Sequence, residues 1–321
     1  MRHSLLGRRD RRPVVLAYHR VARAVTDPQL LSVTPEHFAE HLELLRARYE
    51  PARLGELGTD SVAVTFDDGY ADTLLEAKPL LERARVPTTV FVTTGYVGNG
   101  RRFWWDELER LLLRPGRLPP MLDLAVAGEL LRWELGDDAT YAGDERLGWN
   151  VLDDGEPGPR QRAYRDLCAR LRRLDDAERE RVIDALAAAA EPEADELARP
   201  LTSAELRELA ESELVEIGAH TVTHPVLAQL PPDRQQDEIA GSRRELEDVL
   251  GRSVTSFAYP YGGPGDFDET TVSLVRDAGF DCACSTFAGR VDASTDVFRV
   301  PRVVVRDWSG EELERVLAQA R

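Results

Sequence analysis

The sequence predicts an α/β fold: an irregular (β/α) barrel of about seven strands that carries a mainly helical insertion. Three observations predict it. Short β-favouring runs alternate with amphipathic helical stretches over residues 14–95 and again over 201–321. Between them, over 96–200, the pattern changes, and four of the five tryptophans gather there: Trp104, Trp105, Trp133 and Trp149. Two of the β-favouring runs end in polar stretches rich in carboxylate or imidazole, and barrels and open α/β sheets place their chemistry at such strand tips.

Residues 1–13 form a basic tail with Arg2, Arg8, Arg9, Arg11 and Arg12. No apolar stretch or small-residue cleavage site follows it, so it does not read as a secretory leader, and the expected compartment is the cytoplasm. Residues 14–18 read as a buried strand. Thr34-Pro35 opens a helix, with threonine as N-cap and proline at the first helical position. Phe38, Leu42, Leu45 and Tyr49 give that helix one apolar face. The strand 62–66 runs into Asp67-Asp68-Gly69. The helical stretch 72–85 contains Pro79, which should break or kink it. Residues 88–93 form the next strand.

In the insertion, residues 122–135 alternate around Ala127-Gly128 and predict a hairpin. Tyr164, Leu167, Leu171 and Leu174 mark one amphipathic helix, and 179–190 a second. The Glu/Pro/Ala-rich stretch 191–200 reads as a linker. The alternation then resumes with strand 214–219, helix 232–250, strand 254–259, helix 268–278, strands 281–286 and 299–305, and a last helix from Gly310.

A chain of 321 residues with 42% hydrophobic content can bury a large core. No apolar run is long enough to predict a transmembrane helix. The net charge of -17 argues against a general nucleic-acid binder, which needs clustered cations. It also disfavours a strongly anionic substrate, unless a local basic cleft overrides it. Lys78 is the one lysine among 41 basic residues, a bias that reflects GC-rich codon usage. Cys168, Cys282 and Cys284 are too few and odd in number for a disulfide framework. Cys282 and Cys284 are two apart in a strand, so they face one side as small core residues.

The chemistry resides in two stretches. Two adjacent carboxylates, Asp67 and Asp68, repel each other, so one of them calls for a cation partner. In Gly218-Ala219-His220-Thr221-Val222-Thr223-His224-Pro225, two imidazoles stand at i and i+4, within reach of one metal ion. Six histidines can produce such a pair by chance. The strand before it, the proline after it and the distant acid pair favour a metal.

Thr65-Phe66-Asp67-Asp68-Gly69 and His220-Thr221-Val222-Thr223-His224-Pro225 resemble the first two motifs of the polysaccharide deacetylase (NodB-homology) family, carbohydrate esterase family 4. The likeness covers roughly residues 14–95 and 202–308. Leu16-Ala17-Tyr18-His19-Arg20-Val21 and Phe257-Ala258-Tyr259-Pro260-Tyr261-Gly262 are similar to the branch that deacetylates bacterial exopolysaccharides.

The resemblance implies a divalent metal, Zn²⁺, on Asp68, His220 and His224, with positions open for water and substrate. It implies Asp67 as general base, where the bland reading makes it a turn cap. It implies Tyr261 N–H as an oxyanion donor. The substrate would be an N-acetylated glycan, which loses acetate from an N-acetylhexosamine.

Two departures stand out. The family's third motif begins with an arginine, where this chain has Ala258, and the late histidine that protonates the leaving amine is missing. His19, at the end of the first strand, and Arg302, near the last, are the candidate replacements. Each could equally hold a hydrogen-bonded structural role. Asp307-Trp308 matches only a dipeptide of a further motif. His3, His37 and His41 read as surface or core residues. Phe103-Trp104-Trp105 could stack on sugar rings or pin the insertion to the barrel. Two other readings stay open: a hydrolase of a different C–N or acetyl ester bond, and a non-catalytic glycan-binding protein.

Overall fold

The computed structural model describes residues 11–141, 147–155, 158–192 and 198–320. Seven strands make the main sheet: β1 (Val14–Tyr18), β2 (Ser61–Phe66), β3 (Thr88–Val92), β4 (Val215–Ala219), β5 (Ser256–Ala258), β6 (Cys282–Cys284) and β7 (Val303–Val304). Their order is β6-β5-β4-β3-β2-β1-β7, all parallel, with the two-residue strand Glu50–Pro51 pairing alongside β2. Parallel strands covered on both faces must be apolar throughout, and β1, β2 and β3 are buried at every position.

The sheet curls into an irregular barrel. It stays open: an isolated bridge, Cys284 to Val300, joins β6 to the segment before β7, and β6 and β7 themselves do not pair. The expected strand 299–305 is therefore mostly not a strand. Val300 hydrogen-bonds to β6, the chain crosses at Pro301, and Val303–Val304 pairs with β1. Proline has no N–H to give to a ladder, which limits strand length here.

Alternate side chains divide between two layers. Val14, Leu16, Val62 and Val64 face outward into the main core under the helices. Val15, Ala63, Phe91 and Ala258 face a small inner core. Phe91 fills that interior so closely that a Cβ on Gly218 would lie 2.4 Å from its ring.

The helices follow the sequence pattern. Thr34 caps α1 (Pro35–Arg48). Pro79 does not break α2 (Lys78–Ala84). A wide π-turn, Thr73–Ala77, precedes it and accommodates the missing proline N–H. In the insertion, α3 (Trp104–Leu112), α4 (Pro159–Leu171) and α5 (Asp176–Ala189) pack with a hairpin, Met121–Val126 and Glu129–Glu134, which turns at Ala127-Gly128 as expected. They share a separate core around Phe103, Leu108, Leu122 and Leu167. The remaining helices are α6 (Ser203–Ala210), α7 (Pro232–Leu250), α8 (Glu269–Asp277) and α9 (Gly310–Gln319).

The 191–200 segment is more than a linker at its described ends. Glu191–Pro192 pairs with Gly116–Arg117, and Pro200 bridges Tyr70; residues 193–197 lie outside the described residues. Most of the basic tail, 1–10, also lies outside them. Arg11, where the description begins, is ion-paired to Asp60. Among the described residues no helix is long and apolar enough to cross a membrane.

Candidate active site and metal centre

The C-terminal tips of β1, β2, β4 and β5 converge on one cavity of about 340 Å³. His19 follows β1, Asp67 and Asp68 follow β2, His220 and His224 follow β4, and Tyr261 follows β5. Four non-glycine residues at this mouth have positive φ: Asp68 (72°), Thr221 (65°), His224 (56°) and Tyr261 (61°). Such conformations are costly and persist where surrounding contacts fix them. Here the contacts are visible. Thr221 Oγ1 accepts from His224 N–H at 3.0 Å. Glu238 of α7 accepts from the N–H groups of Val222 and Thr223, both at 2.8 Å. Arg179 of α5 donates to Thr223 O at 3.1 Å and to Leu171 O at 2.9 Å, so the insertion braces the histidine loop.

Asp68, His220 and His224 each present one donor atom, all within 4.8 Å of one another and all buried. Asp68 Oδ1 lies 3.6 Å from His220 Nε2 and 3.5 Å from His224 Nε2. His220 Nδ1 lies 2.7 Å from Ala258 O, a geometry that puts the proton on Nδ1 and leaves the Nε2 lone pair toward Asp68.

The electrostatics call for a cation. Burial, then the charge of Asp67, pushes the Asp68 carboxyl well above its usual range. Burial pulls both imidazoles down, His224 strongly. Three buried donors that are neutral or poorly ionised, converging on one point, fit a divalent metal.

Asp67 is treated differently. Burial raises it, but Arg302 foremost, together with His220 and His19, outweighs burial and holds it at about 2. Arg302 grips both carboxylate oxygens at 2.7 Å, and its other donors reach Thr65 Oγ1 at 3.0 Å and Ser285 O at 2.9 Å. The side chain is wholly buried. The expected pairing site of Ala258 thus stays empty of charge, and the cation beside Asp67 arrives from residue 302. Arg302 is fully committed as a fork to Asp67, which excludes it as a proton donor.

His19 lines the cavity with its Nδ1 buried and unpartnered. Burial brings its pKa to about 4 against the opposing pull of Asp67. Among the described residues the N–H of Tyr261 has no hydrogen-bond partner, and Tyr261 O accepts from Thr286 Oγ1 at 2.7 Å.

Asp307 accepts from Thr34 N and Oγ1, and Trp308 O lies 2.7 Å from His41 Nε2, so this dipeptide seats α1 rather than lining the cavity. Cys282 and Cys284 are free thiols packed in or against the inner core. Phe103, Trp104 and Trp105 belong to the insertion's core, yet both tryptophans also wall the cavity. Trp105 stacks on Phe103 at 4.8 Å and lies 4.9 Å from the His224 ring. Its Nε1 donates to Tyr70 Oη at 2.8 Å, and Tyr70 donates to buried Asp106 at 2.9 Å.

Sequence reading named Thr65 only as part of a motif and missed its contact with Arg302, and it missed Glu238 and Arg179, which carry no local signal. It also missed Arg165 and Arg172 on the cavity wall. These lie beside the Tyr164/Leu167/Leu171 stripe that identified their helix.

The fold and this site define a curled (β/α) barrel scaffold whose strand tips bring one carboxylate and two imidazoles together as candidate metal donors. A family model described as polysaccharide deacetylase matches residues 55–115 and 177–283, more than half of the chain. The chain belongs to the polysaccharide deacetylase family. The matched segments contain Asp67, Asp68, His220, His224 and Tyr261, and leave out His19, Arg302 and all of 116–176.

The Bacillus subtilis (strain 168) protein YxkH, named as a polysaccharide deacetylase, is 27% identical over 105 residues, 33% of this chain. That alignment spans only about a third of the relative's own length, 36%. Among solved structures, the Streptococcus pyogenes deacetylase PplD in complex with acetate is 18% identical, with a TM-score of 0.56 over 95% of this chain and 98% of that one. IcaB from Ammonifex degensii is 21% identical, with a TM-score of 0.57 over 97% and 99%. These two likenesses are likenesses of fold.

Proposed function

We propose that this chain removes N-acetyl groups from N-acetylhexosamine units of a glycan, with Zn²⁺ as the cation on Asp68, His220 and His224. The observation that carries the reading is the pairing, in one cavity, of the metal donor set with a second carboxylate fixed by a buried arginine. When bound, the cation supplies a Lewis acid and lowers the pKa of water beside Asp67.

The chain's own groups do the rest. Asp67, kept ionised and oriented by Arg302, takes a proton as water adds to the acetamide carbon. Tyr261 N–H donates to the developing oxyanion. The C–N bond then breaks, its electron pair stays on nitrogen, and the nitrogen takes up a proton. His19 rests neutral, so it acts as a carrier that passes on the proton removed from water. The products are acetate and a free amino sugar.

The test is metal content together with acetate release from a panel of N-acetylated glycans. Stoichiometric metal with no acetate from any member would overturn the reading.

A further inference from the structure

We propose that the cavity selects N-acetylated sugars that carry an anionic oxygen group, a carboxylate or a phosphate ester, and that Arg165 is the residue that binds it. The proposal rests on the glycan reading above for the identity of the site, and adds to it the charge of the substrate.

Arg165, Cys168, Ala169 and Arg172 all line the cavity. Their spacing of i, i+3, i+4 and i+7 is one helical face. Two small residues in the middle leave room, and an arginine stands at each end.

The two arginines differ in how they are answered. Arg172 is ion-paired to Asp266, and its guanidinium lies 4.2 Å from the centre of the Tyr261 ring. Arg165 meets no carboxylate among the described residues. It donates only to the carbonyls of Val151, at 3.4 Å, and Asp153, at 2.9 Å, and lies 5.2 Å from the Trp149 ring centre. Its Nε is buried without any partner. A buried cationic donor left open is expensive unless something fills it, and a guanidinium is best filled by a planar or tetrahedral oxyanion.

The rest of the cavity agrees. Trp104 Nε1 and Tyr261 Oη are also buried and unpartnered, so the wall offers donors. The acids lining it are Asp67, already neutralised by Arg302, and Asp68, a metal donor. The chain's net charge of -17 would repel an acidic ligand, but this pocket is a local basic exception. A volume near 340 Å³ lies at the small end of the roughly 300–1,000 Å³ usual for ligand sites, and Arg165 lines this same small cavity as Asp68, His220 and His224. Arg165 falls in the stretch 116–176 that the family model leaves unmatched, so the feature belongs to this chain's insertion.

Calorimetry on the Zn²⁺-loaded full chain tests it, with three disaccharides: N-acetylglucosamine linked to glucose, to glucuronic acid, and to glucose 6-phosphate. At least one acidic ligand should bind about tenfold or more tighter than the neutral one, and the advantage should shrink with added salt. The better of the two acids identifies carboxylate or phosphate as the source. Arg165→Gln should bring the acidic-to-neutral ratio close to one, and Arg165→Lys should retain part of it.

Equal affinity of the native protein for all three overturns the proposal, whatever the variants do. An unchanged ratio in folded Arg165→Gln also overturns it. Acetate release is measured on the same samples. Tighter acidic binding without turnover supports the anion site and counts against the deacetylase reading alone.

Discussion

Asp67 and Asp68 are neighbours in sequence with opposite electrostatic fates. Against burial, Arg302 with His220 and His19 brings Asp67 down to about 2, while burial and Asp67 itself drive Asp68 up. The proposed mechanism divides the labour of this pair accordingly, with Asp67 as base and Asp68 as metal ligand. Asp67→Asn should therefore retain bound metal and lose about 10²–10⁴-fold in turnover, measured as acetate release beside metal analysis. Full turnover by this variant would exclude Asp67 as the base. Arg302→Met leaves a buried carboxylate without its partner, which should cost about 3–5 kcal/mol in chemical denaturation. A native denaturation midpoint in Arg302→Met would mean that the ion pair contributes nothing to the fold. Alanine at Asp68, His220 or His224 should sharply weaken metal binding in each case.

At the scale of elements, α1 depends on a histidine kept neutral. His41 is buried between Tyr18 Oη, 3.2 Å from its Nδ1, and the Trp308 carbonyl. Burial, opposed by the Trp308 carbonyl, lowers its pKa from 6.5 to about 4. The unfolded chain binds this proton more readily, so the contribution is fully present above pH 6.5 and is lost as pH falls toward 4. The size is on the order of 3 kcal/mol, because each tenfold difference in proton affinity is worth about 1.4 kcal/mol. Denaturant titrations from pH 7 to 4 should show a steeper loss for the native chain than for His41→Gln. Parallel curves would place the acid sensitivity elsewhere. Gly218 makes a second element-scale prediction. Alanine there would drive a methyl into the Phe91 ring and should cost about 1–3 kcal/mol, read in the same titration.

For the whole molecule, the candidate metal donors gather at the tips of β2 and β4, and Glu238 and Arg179 brace the histidine loop from α7 and the insertion. Binding to the folded state alone stabilises it by mass action, by about 2.7 kcal/mol at a hundredfold excess over Kd. Zn²⁺ should therefore raise Tm in a concentration-dependent way, and a chelator should reverse the rise. A Tm indifferent to both would mean that the three donors do not hold the ion. Trp105 joins the insertion's core to the metal site through Tyr70 and the His224 ring. Trp105→Ala should accordingly lower both Tm and turnover, whereas a tryptophan serving only sugar affinity would leave Tm unchanged.

Local sequence determined the parts whose physics is local. The central strands carry their own apolar runs, α1, α5, α6, α8 and α9 their own side-chain caps, and the hairpin its own Ala127-Gly128 turn. The donor set was legible because it sits in two contiguous motifs, each at the tip of a recognisable strand. Only the tertiary structure decided which distant groups meet. Arg302 and Asp67 are 235 residues apart, and they pair because the curled sheet brings the segment before β7 back beside β2. Pro301 interrupts the expected last strand where the chain passes from its bridge with β6 to its pairing with β1, a position that no run of valines discloses. The face of α4 with Arg165 and Arg172 became a cavity wall because the neighbouring leucines took the core, and that choice was made by packing. Side-chain chemistry is written residue by residue, but charge compensation depends on separation in space, and the barrel's curvature sets those separations.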